Sequence, residues 1–213
     1  MSLSLTDQLQ QGAEQIGCEL SDVQQGTLLD YLALIEKWNK VYNLTAVRNV
    51  DDMIEAHLLD SLSVLPHLHG DQCIDVGSGA GLPGIPLAIV DPQRHWLLID
   101  SQIKRTRFQQ QAVAELQLKN VNVEHARVQD ATVETLASTI ICRAYSSLAD
   151  FVRDSRHLCS PDGVLLAMKA DYPDKEIAEL SADIEVIEVL KLPAGAQHKQ
   201  RHLVKMRARP ELD

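Results

Sequence analysis

Four glycines within eight residues follow a short apolar run near the middle of the chain. The run covers residues 73–76, and the segment after it reads Gly77-Ser78-Gly79-Ala80-Gly81-Leu82-Pro83-Gly84. Glycine tolerates positive φ angles and lets a ligand approach the backbone closely. A helix that starts in such a segment also offers free N–H groups to a ligand. The pattern therefore predicts a strand, a ligand-binding turn and a helix in succession.

The glycines fit two different ligand-binding patterns. Read from Gly79, they match the dinucleotide pattern G-x-G-x-x-G, which is weak evidence when it stands alone. Read from Asp75, with Gly77, Gly79 and Gly81 in alternation, they resemble motif I of the class I methyltransferases. A carboxylate at the strand end suits a ligand with a cationic amino-acid group better than a pyrophosphate, and this pattern begins directly after the strand. It favours S-adenosylmethionine, with a nicotinamide or flavin site, or a turn without a ligand, as alternatives.

Further positions are expected to contact the same cofactor. Asp100 ends the second apolar run, where a carboxylate can accept hydrogen bonds from ribose hydroxyls. NAD and S-adenosylmethionine share that feature, so it supports only an adenosine-bearing ligand. After the third run, Val128, Gln129 and Asp130 are expected to border the adenine. An equal alternative for Asp130 is that it caps a helix at 132–136.

From residue 72 onward, short apolar runs alternate with helical patterns. The runs cover 73–76, 96–99, 121–124, 139–142 and 164–168, and the helical patterns cover 85–90, 104–118, 132–136, 148–158 and 174–181. Such alternation predicts βαβ units and a parallel sheet. The last two runs, 184–190 and 202–206, have no helix between them, which predicts an antiparallel pair and hence a mixed sheet.

The first 70 residues have helical spacing throughout. Helices are expected over 3–16, from a capping box at Ser21 and Gln24 onward, and over 51–65. The chain is therefore predicted to be α/β, with a Rossmann-like, seven-stranded mixed sheet of the class I S-adenosylmethionine-dependent methyltransferase type (71–213). An N-terminal helical extension (1–70) is expected to pack on that sheet.

The net charge of −10 argues against nucleic-acid binding by the whole surface. The charge is uneven, however, because residues 189–210 contain no acid. Two basic groups are candidates for RNA contacts: Lys104, Arg105 and Arg107 at the start of a helix, and Lys199, Arg201 and His202 at the last strand. The alternatives are a solvated helix face for the first group and protection of an edge strand for the second.

Several common classes of protein are disfavoured by composition. No apolar run approaches the ~20 residues that a membrane-spanning helix needs, and the start of the chain lacks the pattern of a signal peptide. The four cysteines show no C-x-x-C spacing. These features predict a cytoplasmic protein with no membrane partner and no metal site, and nothing in the apolar pattern calls for a dimer, so a monomer is expected.

Specific motifs over nearly the whole chain go beyond the glycine segment. They are Trp38-Asn39-Lys40-Val41-Tyr42-Asn43-Leu44-Thr45-Ala46-Val47-Arg48, His57-Leu58-Leu59-Asp60-Ser61, the segment 75–86, Asp100 with Lys104-Arg105-Thr106-Arg107-Phe108, Arg143-Ala144, Met168-Lys169 and Arg201-His202-Leu203-Val204. With these motifs the chain resembles the bacterial 16S rRNA guanine-N7 methyltransferase G family, also called glucose-inhibited division protein B. The resemblance implies methyl transfer to N7 of a guanine (guanine 527 in the usual rRNA numbering) in the 530 loop of 16S rRNA, within the small ribosomal subunit.

The resemblance also implies roles for individual residues. Cofactor contacts of the family fall on Gly77, Leu82, the pair Val128 and Gln129, and Arg143. The family often has a carboxylate where this chain has Gln129, so the contact there is expected from the backbone.

Two basic residues are the candidates for catalysis. Arg143 and Lys169 follow the fourth and fifth apolar runs, at the strand ends where ligands bind in such sheets. Lys169 is suited to contact a phosphate or the guanine O6, and a structural ion pair is the alternative for Arg143. Guanine N7 is an unprotonated lone pair, so methyl transfer needs no general base, and alignment with charge stabilisation suffices. Consistently, the chain has neither a [DNS]-P-P-[FYW] tetrapeptide nor a Pro-Cys nucleophile.

The remaining conspicuous residues have plainer interpretations. His57, Asp60 and Ser61 share one helical face and are expected to form a packed polar interface with the glycine segment. Trp38 is expected in the core rather than as a base-stacking platform. Two other functions stay open at this point, an NAD(P)-dependent reductase and a non-catalytic nucleotide-binding regulator.

Overall fold

A seven-stranded sheet organises the second and larger part of the protein. The computed structural model describes residues 3–193 and 201–209. The strands are β1 (Gln72–Val76), β2 (His95–Asp100), β3 (Val121–His125), β4 (Ala137–Arg143), β5 (Cys159–Lys169), β6 (Ile184–Leu192) and β7 (Arg201–Ala208). Their order is β3-β2-β1-β4-β5-β7-β6, and β7 alone runs antiparallel, to both β5 and β6. The predicted seven-stranded mixed sheet is confirmed.

Helices precede the sheet and connect its strands. They are α1 (Leu5–Gln15), α2 (Asp22–Tyr42), α3 (Val50–Met53), a π-helical segment (Ile54–Leu59), α4 (Asp60–Leu62), α5 (Gly84–Val90), α6 (Ile103–Glu115), α7 (Leu148–Ser155) and α8 (Asp174–Ala178). The capping box expected at Ser21 is present, because its Oγ accepts from the Gln24 N–H while the Gln24 side chain accepts from the Ser21 N–H. Short 3₁₀ turns cover Leu65–His67, Val128–Asp130 and Arg156–Leu158.

The helix predicted at 132–136 is wrong. After the 3₁₀ turn Val128–Asp130, the chain runs without regular structure into β4. Thr132, Val133 and Thr135 are β-branched and lose side-chain freedom in a helix, and so short a segment forms few helical hydrogen bonds to offset that loss. Asp130 therefore caps no helix.

The third predicted helix, expected as one element over 51–65, is interrupted by the π-helical segment. Hydrogen bonds there close over five residues instead of four, and regular α geometry returns only for the short α4. Apolar periodicity does not reveal this change, because both helix types bury one face.

The N-terminal helices lie against the helices that cover the sheet. α2 contacts α5 and α6, and one hydrophobic cluster includes buried residues of both parts. The Tyr31 and Phe108 rings lie 6.4 Å apart, and the half-buried Trp38 packs on Phe108 at 5.5 Å, at the border of the core. Among the described residues, no helix combines the length and hydrophobicity needed to cross a membrane.

Candidate active site

The glycine loop leaves the carboxyl end of β1 in a left-handed conformation. The φ angles of Gly77, Gly79 and Gly81 are 65°, 60° and 82°. The N–H groups of Gly77 and Ser78 donate to Ile99 O, at 2.8 and 3.2 Å, so the loop stays close to β2. Gly77 itself is exposed, whereas the loop after Gly79 is buried.

Asp75 lies beneath the loop and contacts no solvent. Its Oδ2 accepts from the Gly84 N–H at 2.9 Å, at the start of α5, and its Oδ1 has no hydrogen-bond partner among the described residues. Burial raises the pKa of this carboxyl to about 7, although the Gly84 N–H and the charge of Arg143 oppose the shift. The acid found in the sequence thus supports the loop from below.

Asp100 ties the loop to the end of β2. Its Oδ2 accepts from the Gly79 N–H at 2.9 Å and its Oδ1 from the Gln102 N–H at 2.8 Å. Arg105, predicted to contact RNA, is half-buried and lies 3.4 Å from the same carboxylate. A carboxylate has further acceptor sites, so a ribose contact at Asp100 stays a prediction.

Sequence reasoning missed two residues that hold the loop. Gln109 Nε2, from α6, donates to Ser78 Oγ and to Gly79 O, both at 2.8 Å. Tyr31, from α2, donates its hydroxyl to Ala80 O at 2.5 Å. Gln109 belongs to a run of three glutamines and Tyr31 to an apolar stripe, and neither position signals the long-range contact.

The residues present fit an adenosine-bearing cofactor with a cationic centre. A Cβ placed on Gly77 would meet only the Tyr145 ring, at 3.8 Å, so the exposed loop leaves open space above it. The carboxylates of Asp75 and Asp100 accept hydrogen bonds from the N–H groups of Gly84 and Gly79, in the same glycine segment. Val128 is buried in the 3₁₀ turn after β3, at the same edge of the sheet, while Gln129 and Asp130 are exposed beside it.

A second space lies beside the loop, at the ends of β4 and β5. This cavity, which we call the cationic cavity, has a volume of about 320 Å³. Its lining residues are Val47, Ala56, His57, Asp60, Arg143, Ala144, Met168, Lys169, Ala170 and Arg201. The sequence-predicted catalytic pair, Arg143 and Lys169, therefore share one cavity with the predicted RNA contact Arg201.

Each cation of the cavity already faces a carboxylate. Arg143 Nη1 lies 3.4 Å from Asp60 Oδ2, and Arg201 Nε lies 3.4 Å from Asp60 Oδ1. Lys169 Nζ donates to Glu176 Oε2 at 2.7 Å. Arg143 therefore forms the ion pair that was its alternative interpretation, and it also lines the cavity.

The polar face of His57, Asp60 and Ser61 contacts the loop after α2 and the end of β4. His57 Nε2 lies 2.9 Å from Thr45 Oγ1, in the loop after α2, and Ser61 Oγ donates to His57 O at 2.5 Å. Asp60 pairs with Arg143 at the end of β4. Helix α4, which contains Asp60 and Ser61, also contacts α5, which begins at Gly84, and a polar interface with the glycine segment stays a prediction.

The predicted RNA contacts are only partly at the surface. Lys104 and Arg107 are exposed at the start of α6, and Lys199 lies outside the described residues. His202 is buried and meets the Tyr172 ring edge-on at 5.6 Å, a placement that does not favour contact with RNA.

Two cations of the acid-free stretch pair with acids of the neighbouring strand. On β7, Lys205 pairs with Glu188 at 3.8 Å and Arg207 with Glu185 at 2.7 Å, both on β6. Because β7 lies between β5 and β6, its cations do not protect an edge strand, whereas the exposed Lys191 of the same stretch does lie on the edge strand β6.

Comparison with known proteins assigns the chain to a family. Residues 24–204 match the family model described as rRNA small subunit methyltransferase G. A protein of that name from Nitrosococcus oceani is 48% identical over 201 residues, covering 94% of each chain. Another, from Ectopseudomonas mendocina, is 50% identical over 205 residues, covering 94% of this chain and 95% of the relative.

Solved structures with low sequence identity share the fold. A SAM-dependent methyltransferase from Aquifex aeolicus has a TM-score of 0.55 at 20% identity, over 73% of this chain and 92% of its own. One from Thiobacillus denitrificans, in complex with S-adenosyl-L-homocysteine, has a TM-score of 0.50 at 12% identity, over 70% and 90%.

The family match confirms the resemblance predicted from the sequence, and the solved structures share the predicted fold. They favour neither the reductase nor the non-catalytic regulator. The chain belongs to the rRNA small subunit methyltransferase G family.

Proposed function

We propose that this protein transfers the methyl group of S-adenosylmethionine to N7 of a guanine in the 530 loop of 16S rRNA, guanine 527. The substrate is the rRNA within the small ribosomal subunit, and the enzyme acts as a monomer in the cytoplasm. The observation that carries the chemistry is the cationic cavity beside the glycine loop, in which Arg143 and Lys169 are both ion-paired donors.

Ion-paired donors suit a reaction in which the base becomes positive. S-adenosylmethionine supplies a methyl group activated on a sulfonium, and guanine N7 offers its lone pair without losing a proton. An uncompensated cation next to the product would oppose the charge that arrives on the base. Glu176 offsets the charge of Lys169, and Asp60 reduces the charge that Arg143 and Arg201 present together, so these side chains can donate hydrogen bonds at a lowered positive potential.

We assign each binding residue the role that the family resemblance implies and that its position in the fold supports. Gly77 and Leu82, with the 3₁₀ turn Val128–Asp130, hold the nucleoside part of the cofactor, and Asp100 accepts from its ribose. Lys169 donates to the guanine O6, and Arg143 lies between cofactor and base. The position of β4 next to β1 supports this role for Arg143.

Mapping the product tests the proposal directly. The protein is incubated with labelled cofactor and small subunits that lack the modification, and N7-methylguanine is located by chemical cleavage and primer extension. We expect one new stop, at guanine 527. Label at another base or another atom would refute the substrate, and tighter binding of NAD(P)H than of S-adenosylhomocysteine would support the reductase.

Lys169 can be tested separately from cofactor binding. Lys169→Met removes the proposed O6 donor, so we expect kcat to fall about 10- to 100-fold while the Kd of S-adenosylhomocysteine stays within about threefold. Lys175→Met, at an exposed position of α8, is the matched control and should leave kcat unchanged. Equal kcat values in the two variants would remove Lys169 from the mechanism.

A further inference from the structure

The π-helical segment gives Arg143 a backbone acceptor. The Asp60 N–H donates to Glu55 O, five residues earlier. In an α-helical turn it would donate to Ala56 O, four residues earlier. The Ala56 carbonyl accepts instead from Arg143 Nη1, at 3.1 Å. The change of helix type thus joins the N-terminal extension to the carboxyl end of β4.

The Asp60 carboxylate is a second acceptor for Arg143 and also pairs with Arg201. Its two oxygens lie 3.4 Å from Arg143 Nη1 and 3.4 Å from Arg201 Nε. The Asp60 side chain is 9% exposed, whereas those of Arg143 and Arg201 are 23% and 41% exposed. One nearly buried carboxylate therefore bridges two cations that start and end different strands, with β5 between them.

Asp60 is also the only acid among the residues that line the described part of the cationic cavity. The other charged lining residues are Arg143, Lys169 and Arg201, and Lys169 has its own partner in Glu176. Without Asp60, both arginines would lose their carboxylate, and their mutual repulsion would favour other rotamers. The cavity would also become more positive by one charge.

We infer that Asp60 is a positioning residue for methyl transfer, which fixes Arg143 in the cavity and limits the positive charge offered to the RNA. This inference rests on the proposed function. Loss of the Asp60 carboxylate is expected to have opposite effects on RNA affinity and on the rate of methyl transfer. The RNA binds more tightly, because one more cation is free to replace counterions on phosphates. The reaction slows, because Arg143 is no longer held in place.

Asp60→Asn tests this split, with small subunits and labelled S-adenosylmethionine as substrates. We expect kcat to fall about 10- to 100-fold, as is typical when a group that orients a functional residue is lost. The KM for the subunit should fall, and the slope of log affinity against log salt should steepen by about one phosphate contact. Asp52→Asn, with the same charge change at an exposed site of α3, should resemble the wild type in both constants.

Two further variants separate positioning from folding. Asp60→Glu keeps the charge, so its KM should return to within about twofold of the wild type. Arg201→Gln leaves Ala56 and Asp60 to hold Arg143, so it should raise the KM and keep kcat within about threefold. This variant decides the case if Asp60→Asn does not fold.

Specific results would overturn the inference. A wild-type kcat in folded Asp60→Asn would do so, as would a loss of RNA affinity in that variant, or a collapse of kcat in Arg201→Gln. Failure of the wild-type protein to methylate the subunit would instead refute the proposed function, so the two failures are distinguishable.

Discussion

Gly77 and Gly17 share a backbone conformation but differ in what surrounds them. Their φ angles are 65° and 72°. A Cβ on Gly17 would meet nothing within 4 Å, and a Cβ on Gly77 would meet only the Tyr145 ring. The cost of a side chain in the left-handed region, about 1–2 kcal/mol, is therefore common to both sites, and only Gly77 borders the proposed cofactor site.

Alanine substitutions at Gly77 and Gly17 distinguish the cost of backbone strain from the steric effect on ligand binding. Gly77→Ala and Gly17→Ala should lower the free energy of unfolding by similar amounts, about 1–2 kcal/mol. Only Gly77→Ala should weaken binding of S-adenosylhomocysteine, by about tenfold or more, because its methyl group occupies the space above the loop. Denaturant titration and calorimetric binding measure the two quantities. Equal cofactor affinities would show that the exposed face of Gly77 does not contact the ligand.

The buried carboxyl of Asp75 makes stability depend on pH. Burial raises its pKa to about 7 in the folded protein, above the ordinary 3.8 of an unfolded chain. The folded state therefore binds the proton more tightly, and this contribution to stability is complete below about pH 4 and is lost as pH rises to about 7.

Asp75→Asn should remove that pH dependence. At each pH, the unfolding free energies of variant and wild type are compared, so that all other titrating groups cancel. We expect the difference to move in favour of the variant by ~1.4 kcal/mol for each pKa unit, between about pH 4 and 7, and to level off above. A difference that stays constant over this range would contradict a raised pKa.

Residues differ in how far sequence could predict them. Asp75, Gly77 and Asp100 were found because ligand chemistry and strand ends single them out locally. The role of Gln109 was not predicted, because it depends on the angle at which α6 crosses the loop. The sequence around Gln109 does not indicate that angle.

At the scale of elements, strands were easier to predict than helix details. All seven strands were found: the five parallel strands because such strands are apolar runs, and β6 and β7 because no helical pattern lies between their two apolar runs. The π-helical segment was missed because hydrophobic periodicity barely changes over one turn. The helix predicted at 132–136 was wrong because this segment has few apolar residues and three β-branched ones. That composition fits an irregular connection equally well.

Helix α6 holds the glycine loop in place through Gln109. Gln109→Glu replaces the amide donor by a carboxylate opposite Gly79 O and Ser78 Oγ. We expect the unfolding free energy to fall by about 1–3 kcal/mol and cofactor affinity to fall with it. Gln110→Glu, the exposed neighbour on the same helix, carries the same change of charge and should alter neither. A Gln109→Glu protein with wild-type affinity would mean that α6 does not set the loop.

At the scale of the whole molecule, the extension and the sheet share one hydrophobic cluster. The two tryptophans report on the two parts, since Trp38 is in α2 and Trp96 in β2. In the variants Trp38→Phe and Trp96→Phe, the remaining tryptophan fluorescence should follow the same urea curve as far-UV circular dichroism of that variant. Separate midpoints in either variant would show that the parts unfold independently.

Charge shows most clearly what sequence could not predict at this scale. The basic final strand and the acidic segment before it are separate stretches of sequence, yet β6 and β7 pair them residue by residue. A net charge summed along the chain therefore did not describe the surface offered to RNA.

The π-helical segment also makes the extension sensitive to residue count. A π-helical turn holds one residue more than an α-helical turn, so removing one residue between Ile54 and Leu59 would restore α geometry and leave Asp60 at nearly the same angle. The helix would then use the Ala56 carbonyl, and Arg143 would lose its backbone acceptor. A single-residue deletion here thus breaks a contact between the extension and β4, and among related chains the length of this segment should vary far less than the lengths of the surface loops.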